Sequence, residues 1–151
     1  MDSLAFPIAV SPGLDESQEN QLSHPIILLV EDHEDSLLLL SCILEPLNCK
    51  IITASDGLMA LSLAQAEVPD LILLDILLPC IDGVEVITQL RQSPKTCDIP
   101  IIALTALARG EDQERILQAG ANAYLRKPYL LGKLETIIQS FLPALKKASP
   151  V

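Results

Sequence analysis

Five residues whose side chains can bind metal ions or phosphoryl groups lie at the ends of short apolar runs: Glu31, Asp32, Asp75, Thr105 and Lys127. Three carboxylates brought close together repel one another, and leaving them unpaired is costly. A group of oxygen ligands without a thiolate suits a hard divalent cation, with Mg²⁺ as the first expectation and Mn²⁺ as the alternative. A hydroxyl and an ammonium suit the oxygens of a phosphoryl group. Together these side chains are the parts needed to transfer a phosphoryl group onto Asp75.

These residues can converge only if the apolar runs before them lie side by side. Runs rich in leucine and β-branched residues predict five strands: Ile26–Val30, Lys50–Ala54, Leu71–Leu74, Ile101–Leu104 and Ala123–Leu125. Segments with helical periodicity predict five helices: Asp35–Glu45, Leu58–Glu67, Val84–Gln92, Glu111–Ala119 and Leu131–Leu142. This alternation predicts an α/β fold, a doubly wound parallel sheet with helices on both faces. Ligands of such a sheet bind in the crevice at the carboxyl ends of its strands, where the five polar residues fall.

The composition limits what else the chain does. It has 151 residues, half of them apolar, which is the size of one domain, and no apolar run approaches the roughly 20 residues that span a membrane. A net charge of −10 argues against binding to nucleic acid. The four cysteines have no metal-binding spacing and predict reduced thiols in a cytoplasmic protein. We expect a flexible tail over residues 1–24, a domain over 25–143 and a short tail over 144–151.

Four sequence blocks carry a resemblance to a known family. The segments LLVEDHEDS, LLDILLPCIDG, ALTA and AYLRKP resemble, in content and in spacing, the receiver domain of two-component response regulators. The resemblance covers the chain from Ile26 to Leu142. It implies a flavodoxin-like fold with five helices and a five-stranded parallel sheet of order 2-1-3-4-5.

The resemblance also implies a role for each acidic residue. Asp75 corresponds to the phosphoacceptor, and Glu31 and Asp32 correspond to the acidic pair of the family. Asp32 and Asp75 would be ligands of Mg²⁺, with Glu31 acting through water. The third protein ligand would be the backbone carbonyl two residues past the acceptor, which belongs to Leu77.

Further roles follow from the same resemblance. Thr105 corresponds to the switch hydroxyl and Tyr124 to the aromatic switch residue. Lys127 corresponds to the lysine that pairs with the phosphoryl group. The bond between Lys127 and Pro128 matches a peptide bond that is cis in the family.

The function implied is a phosphorylation switch rather than an enzyme. A sensor histidine kinase or a histidine phosphotransfer protein would phosphorylate Asp75, and the face formed by the fourth helix, fifth strand and fifth helix would change its affinity for a downstream protein. The nine residues after Leu142 are too few for an effector domain. We therefore expect a stand-alone regulator that acts through protein contacts. A homodimer is compatible with this function.

Other functions stay open at this point. A phosphorylation-independent adaptor with the same fold is the main alternative, although such adaptors usually lose the acceptor, an acid or the lysine. A flavodoxin-like redox carrier is disfavoured because Glu31 and Asp32 would repel the phosphate of FMN. An aspartyl-phosphate hydrolase would need a second aspartate at Leu77. The purely structural alternatives are helix or turn capping by Asp75 and Thr105, packing of Tyr124, and solvation of Lys127.

Three leucines depart from the residues common in the family. Leu77 and Leu107 border the acyl phosphate in relatives and cannot orient an attacking water, so a long-lived phosphorylated form is expected. Leu38 lies nearly opposite the expected core face of the first helix and beside Cys42, which suggests a partner-binding patch. The residues expected on that core face are Leu39, Leu40, Ile43, Leu44 and Leu47.

Overall fold

The structure, a computed structural model, describes residues 24–106 and 109–143. Within them lie five strands: β1 (Ile26–Val30), β2 (Lys50–Ala54), β3 (Leu71–Asp75), β4 (Ile101–Thr105) and β5 (Ala123–Arg126). The same part of the chain holds five α-helices: α1 (Glu34–Leu44), α2 (Gly57–Glu67), α3 (Gly83–Gln92), α4 (Gly110–Ala119) and α5 (Leu131–Phe141). A 3₁₀ turn (Glu45–Leu47) follows α1. Every predicted strand and helix is confirmed, with ends that differ by one residue at most.

The five strands form one parallel sheet in the order β2-β1-β3-β4-β5. This confirms the doubly wound, flavodoxin-like fold of order 2-1-3-4-5. The chain changes its direction of winding between β1 and β3, and the crevice of a doubly wound sheet lies at such a point. Because all strands run the same way, the residues that end them meet at one edge of the sheet.

Helices cover both faces of the sheet. One face packs against α2, α3 and α4 and includes Ile72 and Leu74 of β3, whereas the other packs against α1 and α5 and includes Leu71 and Leu73. A strand that is buried on both faces needs apolar side chains at successive positions rather than at alternate ones. This requirement explains why β3 is an unbroken apolar run until it reaches Asp75.

The orientation of α1 differs from the prediction at one residue. Leu38 is 65% exposed, as expected, but Leu39, which was expected in the core, is 47% exposed. Leu40 and Leu44 are buried, and Leu37 packs against the same core. Residues spaced three and four apart share one helix face, so Leu37 takes the place that Leu39 was expected to fill. The use of Leu38 in partner binding stays a prediction.

Some expectations concern parts of the chain that the structure does not describe. The two predicted tails fall outside the described residues, apart from residue 24, and so does Leu107. All four cysteines are described, and all are free thiols. Of the described helices, none combines the length and the apolar character that crossing a membrane requires.

The loop between β3 and α3 brings the start of α3 against the end of β3. Gly83, the first residue of α3, donates its N–H to the carbonyl of Ile76 at 2.8 Å. A Cβ atom at Gly83 would lie 2.6 Å from the Cα of Ile76 and 2.9 Å from the carbonyl oxygen of Asp75. Asp82 caps the helix by accepting the N–H of Glu85. Glycine therefore lets α3 begin directly behind Asp75.

Replacing Gly83 is expected to disturb this contact. Gly83→Ala should lower the free energy of unfolding by about 1–3 kcal/mol, the usual cost of overpacking. Gly132→Ala in α5 is the matched control, since its added Cβ would meet no described atom within 4 Å outside its chain neighbours and the backbone of its own helix. That variant should gain roughly 0.5–1 kcal/mol, as expected for a glycine in a helix. Urea unfolding measures both, and a Gly83→Ala protein as stable as the wild type would contradict the steric explanation.

Candidate phosphoacceptor site

The carboxyl ends of β1 and β3 bring three carboxylates together. Glu31 and Asp32 follow β1, Asp75 ends β3, and the strands pair with Val30 opposite Leu74. One oxygen of each carboxylate lies within 4.8 Å of the others. Glu31 and Asp75 are only 2% and 6% exposed, whereas Asp32 is open to solvent. The three acids expected to converge thus lie together.

Lys127 supplies a positive charge to two of these carboxylates. Its Nζ lies 3.0 Å from Oε1 of Glu31 and 3.4 Å from Oδ2 of Asp75. The lysine follows β5, and its backbone N–H donates to the carbonyl of Thr105 at 2.7 Å. The peptide bond between Lys127 and Pro128 is cis, as the resemblance implied. The ammonium is therefore placed at the same edge of the sheet as the acids.

Two backbone N–H groups hold the buried carboxylates from the other side. Leu77 donates to Oδ1 of Asp75 at 3.1 Å, and His33 donates to Oε2 of Glu31 at 3.2 Å. Leu77 is 53% exposed, so its side chain borders solvent beside the acceptor. His33 is exposed to solvent. Each buried carboxylate thus has one oxygen on a backbone donor and the other on Lys127.

The electrostatics of the site show an excess of negative charge. The pKa of Asp75 is raised to about 6 by burial and by the charge of Glu31, against the opposing effects of Lys127 and of the Leu77 N–H. Burial would lower the pKa of Lys127, but the hydrogen bond to Glu31 and the charge of Asp75 outweigh it and raise that pKa. The shift of Asp75 thus comes first from burial and then from the neighbouring carboxylate, whereas the shift of Lys127 comes from its contacts with both carboxylates.

The donor set of this cluster fits a hard divalent cation. The clustered ligand atoms of Glu31, Asp32 and Asp75 are all carboxylate oxygens, which is the ligand type that Mg²⁺ prefers. A cation there would also relieve the repulsion that raises the pKa of Asp75. The residues present therefore fit the metal that the sequence predicts.

The two predicted switch residues lie on the last two strands. Thr105 ends β4 and is completely buried. Tyr124 lies on β5 opposite Ala103, and its hydroxyl donates to Oε1 of Gln113 at 2.8 Å. Sequence reasoning missed Gln113, because a glutamine in the first turn of a polar helix has no distinguishing pattern. Its contact depends on where α4 sits over the sheet.

Comparison with known proteins shows the family. The family model of the response regulator receiver domain matches residues 27–139. The polar-differentiation response regulator DivK of Brucella anthropi is 40% identical over 116 residues, which cover 77% of this chain and 94% of that protein. The chain belongs to the response regulator receiver domain family.

Solved structures share the fold. The receiver domain of a sensor histidine kinase from Pseudomonas aeruginosa, solved with a magnesium ion coordinated in its active site cleft, is 36% identical with a TM-score of 0.74, covering 80% of this chain and 99% of that one. The chemotaxis response regulator CheY4 of Vibrio cholerae is 27% identical with a TM-score of 0.74, covering 79% and 99%. Receiver domains are phosphoacceptors of two-component signalling, and this chain has that role.

The raised pKa of Asp75 predicts a pH-dependent effect on stability. The Asp75 carboxyl has a pKa of about 6 in the folded protein and near 3.8 in the unfolded chain. Relative to the charged form, its protonated form favours folding. This contribution is complete below about pH 3.8 and is lost as the pH rises through about 6. In metal-free buffer at pH 7.5, Asp75→Asn should therefore raise the free energy of unfolding, by at most about 3 kcal/mol. At pH 4 the gain should nearly vanish.

Urea unfolding at the two pH values measures this difference. Glu67→Gln, which removes an exposed acid at the end of α2, is the control for the loss of one negative charge. A gain for Asp75→Asn that is the same at pH 4 and pH 7.5 would show that the buried charge of Asp75 does not oppose folding.

Proposed function

We propose that Asp75 accepts a phosphoryl group from a sensor histidine kinase or a histidine phosphotransfer protein, and that the domain then changes its affinity for a downstream protein. The observation that carries the proposal is the placement of Asp75, which ends the central strand 3.4 Å from the ammonium of Lys127 and within a cluster of two further carboxylates. The family membership of the chain supports the same function.

The chemistry proposed is a displacement at phosphorus. An oxygen of Asp75 attacks the phosphorus atom, the bond between phosphorus and the histidine nitrogen breaks, and the electron pair leaves with the imidazole. Lys127, which already reaches Asp75 and Glu31, is placed to pair with the oxygens of the transferred group. The protein would in this way assist its own phosphorylation, and by the same groups its dephosphorylation, without being an enzyme toward another substrate.

We propose that Mg²⁺, or Mn²⁺ in its place, is held by Asp32, Asp75 and the backbone carbonyl of Leu77, with Glu31 acting through water. When bound, the cation would neutralise negative charge on the phosphoryl oxygens. The cluster of carboxylate oxygens supports this assignment, as does the magnesium ion in the receiver domain from Pseudomonas aeruginosa.

The output proposed uses Thr105 and Tyr124. Thr105 would move toward the phosphoryl group and Tyr124 would follow, which alters the face formed by α4, β5 and α5. A groove of about 590 Å³ on this face is lined by residues that include Gln113, Tyr124 and Lys133, so a change at Tyr124 reaches a surface that a partner can contact. We also propose that the protein acts in the cytoplasm, which its four free thiols support.

Phosphorylation should map to Asp75 and should need a divalent cation. With acetyl phosphate and Mg²⁺, mass spectrometry is expected to find the acyl phosphate on Asp75, and Asp75→Asn should lose the label. EDTA should abolish labelling because the carboxylates would otherwise repel the donor. Glu67→Gln is the control that should label like the wild type. Undiminished label in Asp75→Asn, or equal labelling rates with and without the cation, would refute the assignment.

Leu77 is expected to slow the loss of the phosphoryl group. Its backbone N–H donates to Asp75 at 3.1 Å and the residue is 53% exposed. Its side chain cannot donate or accept a hydrogen bond to orient a water. Leu77→Asn should therefore shorten the life of the phosphorylated protein severalfold after the donor is removed. Leu38→Asn is the matched control, because Leu38 is also an exposed leucine but lies on α1. A decay rate that is unchanged or slower in Leu77→Asn would show that Leu77 does not shield the site.

A further inference from the structure

One hydrogen bond ties the predicted aromatic switch to the helix beside it. The hydroxyl of Tyr124 donates to Oε1 of Gln113 at 2.8 Å, and both residues are half-buried. Gln113 lies in the first turns of α4, so the bond joins that end of the helix to β5. The proposed roles of Thr105 and Tyr124 leave Gln113 without a function.

Apart from this bond, α4 is held by Ile116, which is buried, and by Ala119, which packs against the same core. Just past the end of the helix, the carbonyl of Gly120 accepts a hydrogen bond from Arg91 Nε at 3.0 Å. Of its ten residues, all of which are described, only Ile116 is buried. Its N-cap is Arg109 and its first residue is Gly110, neither of which has a side-chain oxygen to cap the helix. Among the described residues, the ion pair Arg109–Glu111 at 3.6 Å is solvent-exposed and the pair Arg115–Asp112 at 3.8 Å is open to solvent at Arg115. Ion pairs at the surface stabilise little. The core contacts of α4 thus lie in its second half, whereas the half-buried bond from Tyr124 to Gln113 holds its first half.

The position of Tyr124 links this bond to the phosphoacceptor site. Tyr124 pairs with Ala103, and its ring packs against the core cluster that contains Ala103 and Ile116. Side chains two residues apart on a strand point to the same face, so Thr105 shares the face of Ala103 and Tyr124. In this arrangement the Asp75 carboxylate is paired directly with Lys127. The proposed phosphoryl group would come between these two side chains and draw Thr105 toward it, on the same face of the sheet as the Tyr124 ring that Gln113 holds.

We infer that Gln113 is a positioning residue: its hydrogen bond to Tyr124 stabilises the arrangement in which Asp75 pairs directly with Lys127 and opposes the change to the phosphorylated arrangement. The inference rests on the proposed phosphorylation of Asp75. A bond made in only one of two conformations shifts the equilibrium between them by its own free energy. For one hydrogen bond of ordinary strength, this amounts to a shift of about two- to tenfold.

Tyrosine ring signals in NMR report the position of the switch directly. The chain has two tyrosines, so ¹³C-tyrosine labelling gives two signals, with Tyr124 as the reporter of the switch. Tyr129 lies near the charges of Lys127, Glu31 and Asp75, so its signal reports the phosphorylation of Asp75 separately, and shifts are read against an added standard. Without a phosphoryl donor, Gln113→Met should move the Tyr124 signal part of the way toward its position in the phosphorylated wild type. Gln113→Glu keeps an acceptor oxygen and should restore the wild-type position. Gln118→Met, at an exposed glutamine of α4, is the matched control and should not move it.

A second measurement tests the same bond from its other end. The initial rate of labelling by acetyl phosphate and Mg²⁺ should rise about two- to tenfold in Gln113→Met and in Tyr124→Phe. The double variant should be no faster than the faster single variant, because both changes remove one bond. If one of the single variants fails to fold, the labelling rate of the other single variant still tests the bond.

The outcomes separate the two proposals. If the wild type takes no label on Asp75, the proposed function fails. If the wild type is labelled but the Tyr124 signal of Gln113→Met stays at the wild-type position, or leaves the line between the two wild-type positions, the role of Gln113 is overturned. Rates that multiply in the double variant would also overturn it.

Discussion

Two buried carboxylates beside one ammonium are the constraint on which the rest of this structure depends. Glu31 and Asp75 are almost fully withdrawn from water, and an isolated buried charge costs several kcal/mol. Lys127 must therefore reach both, which it does only because β4 places β5 within reach of the crevice. The pKa of Asp75, raised to about 6, shows that the compensation is incomplete. The apolar cores on the two faces of the sheet thus stabilise a fold whose phosphoacceptor site is electrostatically unfavourable.

Much of this arrangement can be predicted from short-range patterns of the sequence. The apolar runs predict the strands because a strand buried on both faces needs apolar residues at successive positions. The polar residue that ends a run, such as Asp75 or Thr105, then falls at the carboxyl edge of the sheet. The pairing of Lys127 with the acids could be expected from the same rule, since all strands are parallel. The match to the family added the strand order and the individual roles.

The remainder depends on contacts that no local pattern encodes. In α1 the run Leu37, Leu38, Leu39, Leu40 puts leucine on every side of the helix, since each residue turns by about 100°. Periodicity alone therefore could not decide which leucine faces the core, and Leu39 was assigned wrongly. The bond between Gln113 and Tyr124 depends on where α4 sits over β5, which only the three-dimensional structure shows.

Because of the order of elements along the chain, this site is completed only at the end of folding. Glu31 and Lys127 are 96 residues apart, and the lysine comes just after the last strand of the sheet. A chain in which β5 has not yet docked holds its carboxylates without their ammonium, and contacts so distant in sequence form late because closing a long loop is costly. A newly synthesised molecule therefore has the full set of charges at this site only after β5 has joined the sheet, so a complete site requires a complete fold.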